Sequence, residues 1–202
     1  MTNQNKQPDF IKFFPFILVI AGLLGFLASF GLTIEYINTI KDPAFVPVCD
    51  INPIFSCGSV METAIAEVFG VSNTFFGVIG YTVVITTGMA MIAGAVLKRW
   101  YMLSLWAGSV LAMIFLGALF YTSLYVSGAL CLFCMTIWVA TIPIFWYTTL
   151  YNLQTKNIAL PEKYLSFQHF IIKHHLDILV VFYVIPIMLI IYRFWYYWST
   201  LI

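Results

Sequence analysis

Charged residues are scarce in this sequence, and their scarcity indicates the class of protein. Only 8% of the 202 residues are charged, and the formal net charge is +1. Soluble domains carry about 25% charged residues, so this chain lacks the polar surface that water requires, and 62% of its residues are hydrophobic. The near-neutral charge argues against nucleic acid as a partner. We therefore predict an integral membrane protein whose outer surface contacts membrane lipid.

Hydrophobic runs long enough to cross a bilayer occur five times. A hydrocarbon core of about 30 Å takes roughly 20 residues of helix, and backbone in lipid must satisfy its own hydrogen bonds, which selects helices. The runs cover about 13–36, 74–97, 102–126, 130–150 and 176–194. We predict an all-α membrane protein with a single transmembrane domain over 1–202: a four-helix transmembrane bundle over about 13–150, and a fifth transmembrane helix over about 176–194. The first run is longer than a signal-peptide core and no A-x-A site follows it, so we expect it to be retained.

Lysine and arginine predict the orientation of the helices, because cytoplasmic loops collect basic residues. A cytoplasmic N-terminus places seven of the nine basic residues inside: Lys6, Lys12, Lys98, Arg99, Lys156, Lys163 and Lys173. The loop at about 37–73 and the short link at 127–129 then face outward. All four cysteines lie in or next to these two outer segments, so we expect them to meet on one side of the membrane.

Cys131 and Cys134 form a C-x-x-C at the predicted start of the fourth helix. Residues i and i+3 of a helix share a face, within reach of a disulfide. The N-terminal end of a helix stabilises a thiolate, so the pair suits reversible thiol–disulfide exchange. One alternative is a zinc site, which Cys49 and Cys57 could in principle complete, but no histidine on the outer side supports it, and we expect no metal. The other alternative is a pair of inert buried thiols.

Cys49 and Cys57 lie in the outer loop and enclose seven residues. Prolines and turn formers predict an irregular, flexible segment here, in which the pair can close a disulfide and can also swing. The alternative is a static structural disulfide, common in exported loops.

The outer loop changes character after Ser56. Apolar residues then recur at helical spacing, at Val60, Met61, Ala64, Ile65, Val68 and Phe69, and Gly70 ends the run. We predict a short amphipathic helix of about three turns on the membrane surface. Ser56 is a candidate cap for this helix, which would put Cys57 at its first position.

Three motifs in this chain resemble those of the vitamin K epoxide reductase family. They are the loop from Cys49 to Cys57, the stretch Asn73-Thr74-Phe75-Phe76-Gly77, and Cys131-Leu132-Phe133-Cys134. The similarity extends over about residues 13–150. It implies a quinone-dependent membrane thiol–disulfide oxidoreductase.

The resemblance also implies roles for single residues. Cys134 would face and reduce a membrane quinone (ubiquinone or menaquinone), and Cys131 would exchange with Cys57. Cys49 would take electrons from an exported DsbA-like protein of thioredoxin fold, supporting disulfide bond formation. Asn73 would hydrogen-bond a quinone carbonyl; its alternative role is to cap the second helix.

Three further positions would bind the quinone under this resemblance: Phe76, Met61 and Trp138. Ordinary packing is the alternative for Phe76 and Met61. Trp138 stands where the vertebrate enzymes carry a tyrosine. Since an indole cannot act as an acid, Trp138 counts against epoxide reduction.

The same resemblance has consequences for the partner of the protein and for its membrane. Many bacterial relatives carry a fused thioredoxin-like domain, whereas this chain stops at Ile202 after the fifth helix. We therefore expect a separate partner chain, and a bacterial inner membrane with the cysteines at the periplasmic face. Two alternatives remain open: a quinone or quinone-epoxide reductase of vitamin K-cycle type, and a non-enzymatic membrane scaffold or transporter with structural disulfides.

Overall fold

The computed structural model describes residues 10–196, apart from positions 43, 53, 62, 69, 159–160 and 162–164. Five helices in this part of the chain are long and apolar enough to cross a membrane, which confirms the predicted all-α membrane fold. They are α1 (Phe10–Lys41), α3 (Asn73–Ile92), α4 (Arg99–Thr122), α5 (Leu132–Gln154) and α7 (His175–Arg193). Two shorter helices are α2 (Cys57–Met61) and α6 (Leu165–Lys173).

The ends of several spanning helices differ from the sequence prediction, and α1 continues to Lys41, five residues beyond its predicted end. α3 ends at Ile92, five residues before the predicted end, because Gly94 adopts a left-handed conformation (φ 91°) that turns the chain. α4 continues beyond Thr122 into a π-helical turn, Ser123–Ser127, which ends at the left-handed Gly128. π-helical turns of this kind are rare and widen the helix locally.

The predicted three-turn amphipathic helix is wrong in length. α2 ends at Met61, a 3₁₀ turn follows at Ala64–Ala66, and two short antiparallel strands complete the segment, β1 (Glu67–Val68) and β2 (Val71–Ser72). At the end of α2 the Val60 carbonyl accepts the Thr63 backbone N–H at 3.2 Å and the Thr63 hydroxyl at 2.7 Å. This tight turn takes the place of the next α-helical bond. Glu62 and Phe69, which belonged to the predicted helix, lie outside the described residues.

Close packing of α1 against α3 and α5 forms the bundle core. A Cβ added at Gly25 would overlap the ring of Tyr81, so only glycine permits this approach of α1 to α3. The buried side chains of the main cluster are Phe14, Leu18, Ala21, Tyr81, Val84, Met102, Ala140, Ile144, Trp146, Tyr147 and Leu150. Long apolar side chains on α4 and α7 remain exposed, including Leu111, Ile114, Val180 and Met188. Lipid contact accounts for this exposure.

The two ends of the bundle differ in chemistry. The Arg99 Nε donates to the Asn157 carbonyl at 2.9 Å, so Lys98, Arg99 and Lys156 share the end at which α5 finishes. The cysteines lie at the end at which α5 begins. Lys6 and Lys163, which also served to predict the orientation, lie outside the described residues.

Candidate active site

A short backbone pairing docks the outer loop onto the residue before the C-x-x-C. The Leu130 N–H donates to the Ile54 carbonyl at 2.6 Å, and the Ser56 N–H donates to the Leu130 carbonyl at 3.1 Å. Cys57 follows Ser56 directly, and Cys131 follows Leu130 directly. This pairing, a parallel bridge centred on Phe55, therefore places Cys57 beside Cys131.

Hydrogen bonds inside the loop hold its shape. The Asn52 Oδ1 accepts the backbone N–H groups of Ile54 at 3.0 Å and Phe55 at 2.8 Å. The Asp50 carboxylate accepts the N–H of Gly58 at 3.1 Å. The described residues between Cys49 and Cys57 form no helix, and of them only Phe55 takes part in a β-bridge, so the segment is irregular as predicted. Any swing of Cys49 or Cys57 must break these hydrogen bonds. The predicted cap is also present, since Ser56 Oγ accepts the Ser59 N–H at 3.2 Å.

The four cysteines meet in one cluster. Cys49 and Cys57 form a disulfide with their Cα atoms 5.7 Å apart, while Cys131 and Cys134 are free. The Cys57 Sγ lies 3.1 Å from the Cys131 Sγ. One sulfur of a disulfide thus contacts a free thiol, which is the arrangement that thiol–disulfide exchange requires. The cluster is closed by Leu32, Val60, Met61 and Phe133.

Cys131 occupies the N-cap position of α5. Its sulfur accepts the backbone N–H of Cys134 at 3.3 Å. The pKa of the Cys131 thiol is lowered, first by the hydrogen bond from the Cys134 thiol and then by backbone N–H groups, while burial and the Asp50 charge oppose the shift. Cys131 is therefore the cysteine suited to be a thiolate when the loop disulfide is closed.

Burial separates the two cysteines of the C-x-x-C. Cys131 is 2% exposed, whereas Cys134, in the first turn of α5, is half-buried. Only Cys134 of this pair therefore has a surface open to a molecule outside the cluster.

Asn73 is the first residue of α3, and Ser72 is the N-cap. The alternative role of Asn73 as a helix cap is therefore wrong. Its side-chain Nδ2 donates to the Ile65 carbonyl, which ties α3 to the 3₁₀ turn. Its Oδ1 is buried without a hydrogen-bond partner among the described residues. A buried oxygen left unpaired costs free energy, so this atom is suited to accept a hydrogen bond from a bound molecule.

The three other predicted site residues lie in different surroundings. Met61 packs against the cysteine cluster, and Phe76 is 51% exposed on α3. Trp138 lies in another cluster, where it meets Phe120 edge-on at 4.4 Å and packs near Ile54. Its indole N–H is buried without a partner among the described residues.

Sequence reasoning missed the part that Glu35 plays beside the cysteines. Glu35 is 9% exposed on α1, and its carboxylate accepts the Val48 N–H at 3.0 Å. Val48 precedes Cys49, so a carboxylate from α1 anchors the start of the disulfide loop. The available signal was an acidic residue within a long apolar run. This signal is weak for Glu35, because acidic residues near helix ends are common.

Comparison with known proteins assigns the chain to a family. Residues 16–149 match the sequence model of the Vitamin K epoxide reductase family, and a comparison with curated proteins finds no match. The matched range contains the four cysteines and Asn73 and leaves α6 and α7 outside. Two cysteine pairs in contact at one end of a membrane-spanning bundle agree with a redox enzyme in the membrane. The chain belongs to the vitamin K epoxide reductase family, a family of membrane oxidoreductases.

Proposed function

We propose that this enzyme passes electrons from an exported protein dithiol to a membrane quinone and thereby supports disulfide bond formation. The observation that carries this proposal is the 3.1 Å contact between the Cys57 Sγ, within the loop disulfide, and the free Cys131 Sγ. A structural disulfide has no need of a second cysteine pair against one of its sulfurs. This contact supplies a path between the loop and α5.

Three two-electron exchanges make up the route. In the first, a DsbA-like dithiol attacks Cys49, Cys57 leaves as a thiolate, and the second partner thiol resolves the mixed disulfide. The partner becomes a disulfide and the loop pair becomes two thiols. In the second, Cys57 attacks the Cys131–Cys134 disulfide at Cys131 and Cys134 leaves. Cys49 then attacks Cys57, which restores the loop disulfide and frees Cys131.

The third exchange starts from the arrangement of this structure, with the loop pair oxidised and Cys131 and Cys134 free. The dithiol becomes a disulfide again as it gives up two electrons and two protons. A bound quinone supplies the matching chemistry, since it takes up both and becomes a hydroquinone. Cys131, as the thiolate, would attack the sulfur of Cys134 as an electron pair leaves that sulfur for the quinone, so that the Cys131–Cys134 disulfide forms in the same step.

Residues at the start of α3 and α5 fit a quinone. Cys134 is half-buried and Phe76 is exposed, which leaves an apolar approach for a lipid-soluble ring. The Asn73 side chain has one N–H not engaged by Ile65 and an unpaired Oδ1. The N–H would donate to a quinone carbonyl, and the oxygen would accept from a hydroquinone hydroxyl. Met61 would cover the ring from the loop side.

The sidedness of the reaction follows from the positive-inside rule. With the basic end of the bundle in the cytoplasm, the cysteines lie at the periplasmic face of a bacterial inner membrane. An exported thioredoxin-fold protein, supplied as a separate chain, can reach Cys49 there. Its electrons would enter at the water side and leave at the lipid side of the same cluster.

Quinone reduction by the purified enzyme in lipid nanodiscs tests the proposal. Reduced DsbA-like protein and dithiothreitol serve as alternative donors, with short-chain ubiquinone and menaquinone as acceptors. We expect Cys131→Ala and Cys134→Ala to abolish turnover with both donors. Cys49→Ala and Cys57→Ala should abolish it with the protein donor alone, because the small dithiol can reach Cys134 directly. Wild-type enzyme that turns over no quinone, with thiols that never change redox state, would favour a scaffold with structural disulfides.

A further inference from the structure

The fifth membrane-spanning helix, α7, lies outside the matched family range of residues 16–149. It is mostly exposed, and Ile190 is the only buried residue along its length. Phe194, directly after the helix, is 2% exposed. Burial is therefore concentrated at the last turn of α7, at the end of the bundle that holds the cysteines.

The residues under this last turn are those that dock the disulfide loop. Ile190 and Phe194 pack in one cluster with Ile54, Leu124 and Leu130, which are 2%, 0% and 1% exposed. Ile54 and Leu130 are also the two residues whose backbones bond at 2.6 Å. The end of α7 thus covers the side chains of the same pair whose backbones place Cys57 beside Cys131.

Arg193 fixes the end of α7 in this position. Its Nε donates to the Leu124 carbonyl at 3.1 Å, within the π-helical turn at the end of α4. Its guanidinium also lies 5.9 Å from the centre of the Tyr125 ring. A cation at the carboxyl end of a helix is favourable, because the last carbonyls carry partial negative charge and lack partners within the helix.

We propose that the end of α7 (Ile190, Arg193 and Phe194) is a positioning element for disulfide transfer, and we name it the α7 brace. It presses Ile54 against Leu130 and so holds the Cys57 sulfur against the Cys131 sulfur. The inference rests on the proposed electron route, in which these two sulfurs exchange. Exchange between sulfurs depends steeply on alignment, and a displacement of about 1 Å can lower a rate about a hundredfold.

The effective concentration of Cys57 toward Cys131 measures this positioning directly. In full-length protein with Cys49→Ala and Cys134→Ala, only these two cysteines remain. Equilibration with glutathione then yields the effective concentration from the fraction of Cys57–Cys131 disulfide, read by mass spectrometry. Neither a quinone nor a partner protein is needed, so the result does not depend on whether the proposed function holds. Failure of the function would instead appear as wild-type enzyme without quinone turnover.

We expect Phe194→Ala and Arg193→Ala to lower the effective concentration about tenfold or more, and Phe194→Leu, which keeps an apolar side chain, to restore most of it. Tyr192→Ala is the matched control, because Tyr192 is 82% exposed on the same turn and should leave the value unchanged. Helicity and thermal melting are recorded for each variant, since a merely structural role would change these and not the sulfur pairing of the folded fraction. If Phe194→Ala does not fold, the effective concentrations of Arg193→Ala and Ile190→Val decide whether the proposal holds. Wild-type effective concentration in the folded brace variants would overturn the proposal.

Discussion

Replacement of Glu35 by leucine should loosen the start of the disulfide loop. The carboxylate accepts the Val48 N–H at 3.0 Å in a site where Glu35 is 9% exposed. A hydrogen bond to a charged group contributes about 1.5–3 kcal/mol, and this bond is only partly buried because Val48 is 78% exposed. We therefore expect the substitution to lower the free energy of local loop opening by about 1.5 kcal/mol. This is the lower end of that range, because the N–H can hydrogen-bond to water after opening.

Each 1.4 kcal/mol corresponds to about tenfold in an equilibrium constant, so the population of open loops should rise about tenfold. Cys49 is 4% exposed in the closed loop, and a reductant must wait for opening to reach it. The assay is the rate at which a low concentration of dithiothreitol reduces the Cys49–Cys57 disulfide, followed by alkylation and mass spectrometry. The Glu35→Leu enzyme should be reduced about tenfold faster than wild type.

Two matched variants separate the hydrogen bond from other effects of the substitution. Glu35→Gln keeps an oxygen acceptor of the same reach and should stay within a few-fold of the wild-type rate. Ile34→Ala alters the neighbouring, 45% exposed position of α1 and should have no effect. A Glu35→Leu enzyme reduced at the wild-type rate would refute the view that this carboxylate anchors the loop.

Three further predictions concern the loop turn, the C-x-x-C and the bundle core. Asn52→Ala removes one acceptor from two backbone N–H groups and should speed hydrogen exchange at these amides about tenfold or more, as measured by mass spectrometry. With the loop disulfide closed, the ultraviolet absorbance of the Cys131 thiolate should titrate with a midpoint below the usual thiol value of about 8.5, because the pKa of Cys131 is lowered. In Cys134→Ala that midpoint should rise, since the hydrogen bond from the Cys134 thiol is the main cause of the lowering. Gly25→Ala should destabilise the bundle by about 1–3 kcal/mol in thermal melting, because the added Cβ overlaps the Tyr81 ring.

Each of these three has a control and a result that would count against it. Asn52→Asp keeps the acceptor oxygen, so its amides should exchange at the wild-type rate. If the Ile54 and Phe55 amides of Asn52→Ala also exchanged at the wild-type rate, the Asn52 side chain would not be what protects them. A Cys131 midpoint at or above 8.5 would contradict the lowered pKa. Gly108→Ala on α4 meets no atom within 4 Å and should be neutral or slightly stabilising. Equal melting of both glycine variants would exclude close α1–α3 packing.

The membrane fold could be predicted because its signal is local. A run such as Leu132–Gln154 contains enough apolar residues to span a bilayer whatever surrounds it. The meeting of the cysteines followed from topology, since Cys57 and Cys131 lie in segments predicted for the same side. Helix ends were less certain, because a single left-handed residue such as Gly94 decides where α3 stops.

Contacts between distant segments could not be predicted. The pairing of Ile54 with Leu130 depends on where the loop docks, and no local pattern encodes that register. The same holds for the anchoring of Val48 by Glu35 and for the burial of Phe194. The predicted length of α2 was also wrong, because apolar spacing does not reveal that Thr63 bonds back to the Val60 carbonyl. The packing of Trp138 against Phe120 and near Ile54 likewise requires the three-dimensional structure.

The length of α1 has a consequence for the depth at which the sulfur atoms lie. Its 32 residues rise about 48 Å at 1.5 Å per residue, against a hydrocarbon thickness of about 30 Å. An upright helix of this length extends about 18 Å, roughly three turns, beyond the acyl chains. The polar residues Glu35, Asn38 and Lys41 place part of this excess at the end near the cysteines. α1 thereby places the cysteine cluster at the depth of the lipid headgroups. At that depth the cluster is within reach of a protein in the aqueous phase and of a small molecule dissolved in the bilayer, so neither needs to cross into the other phase.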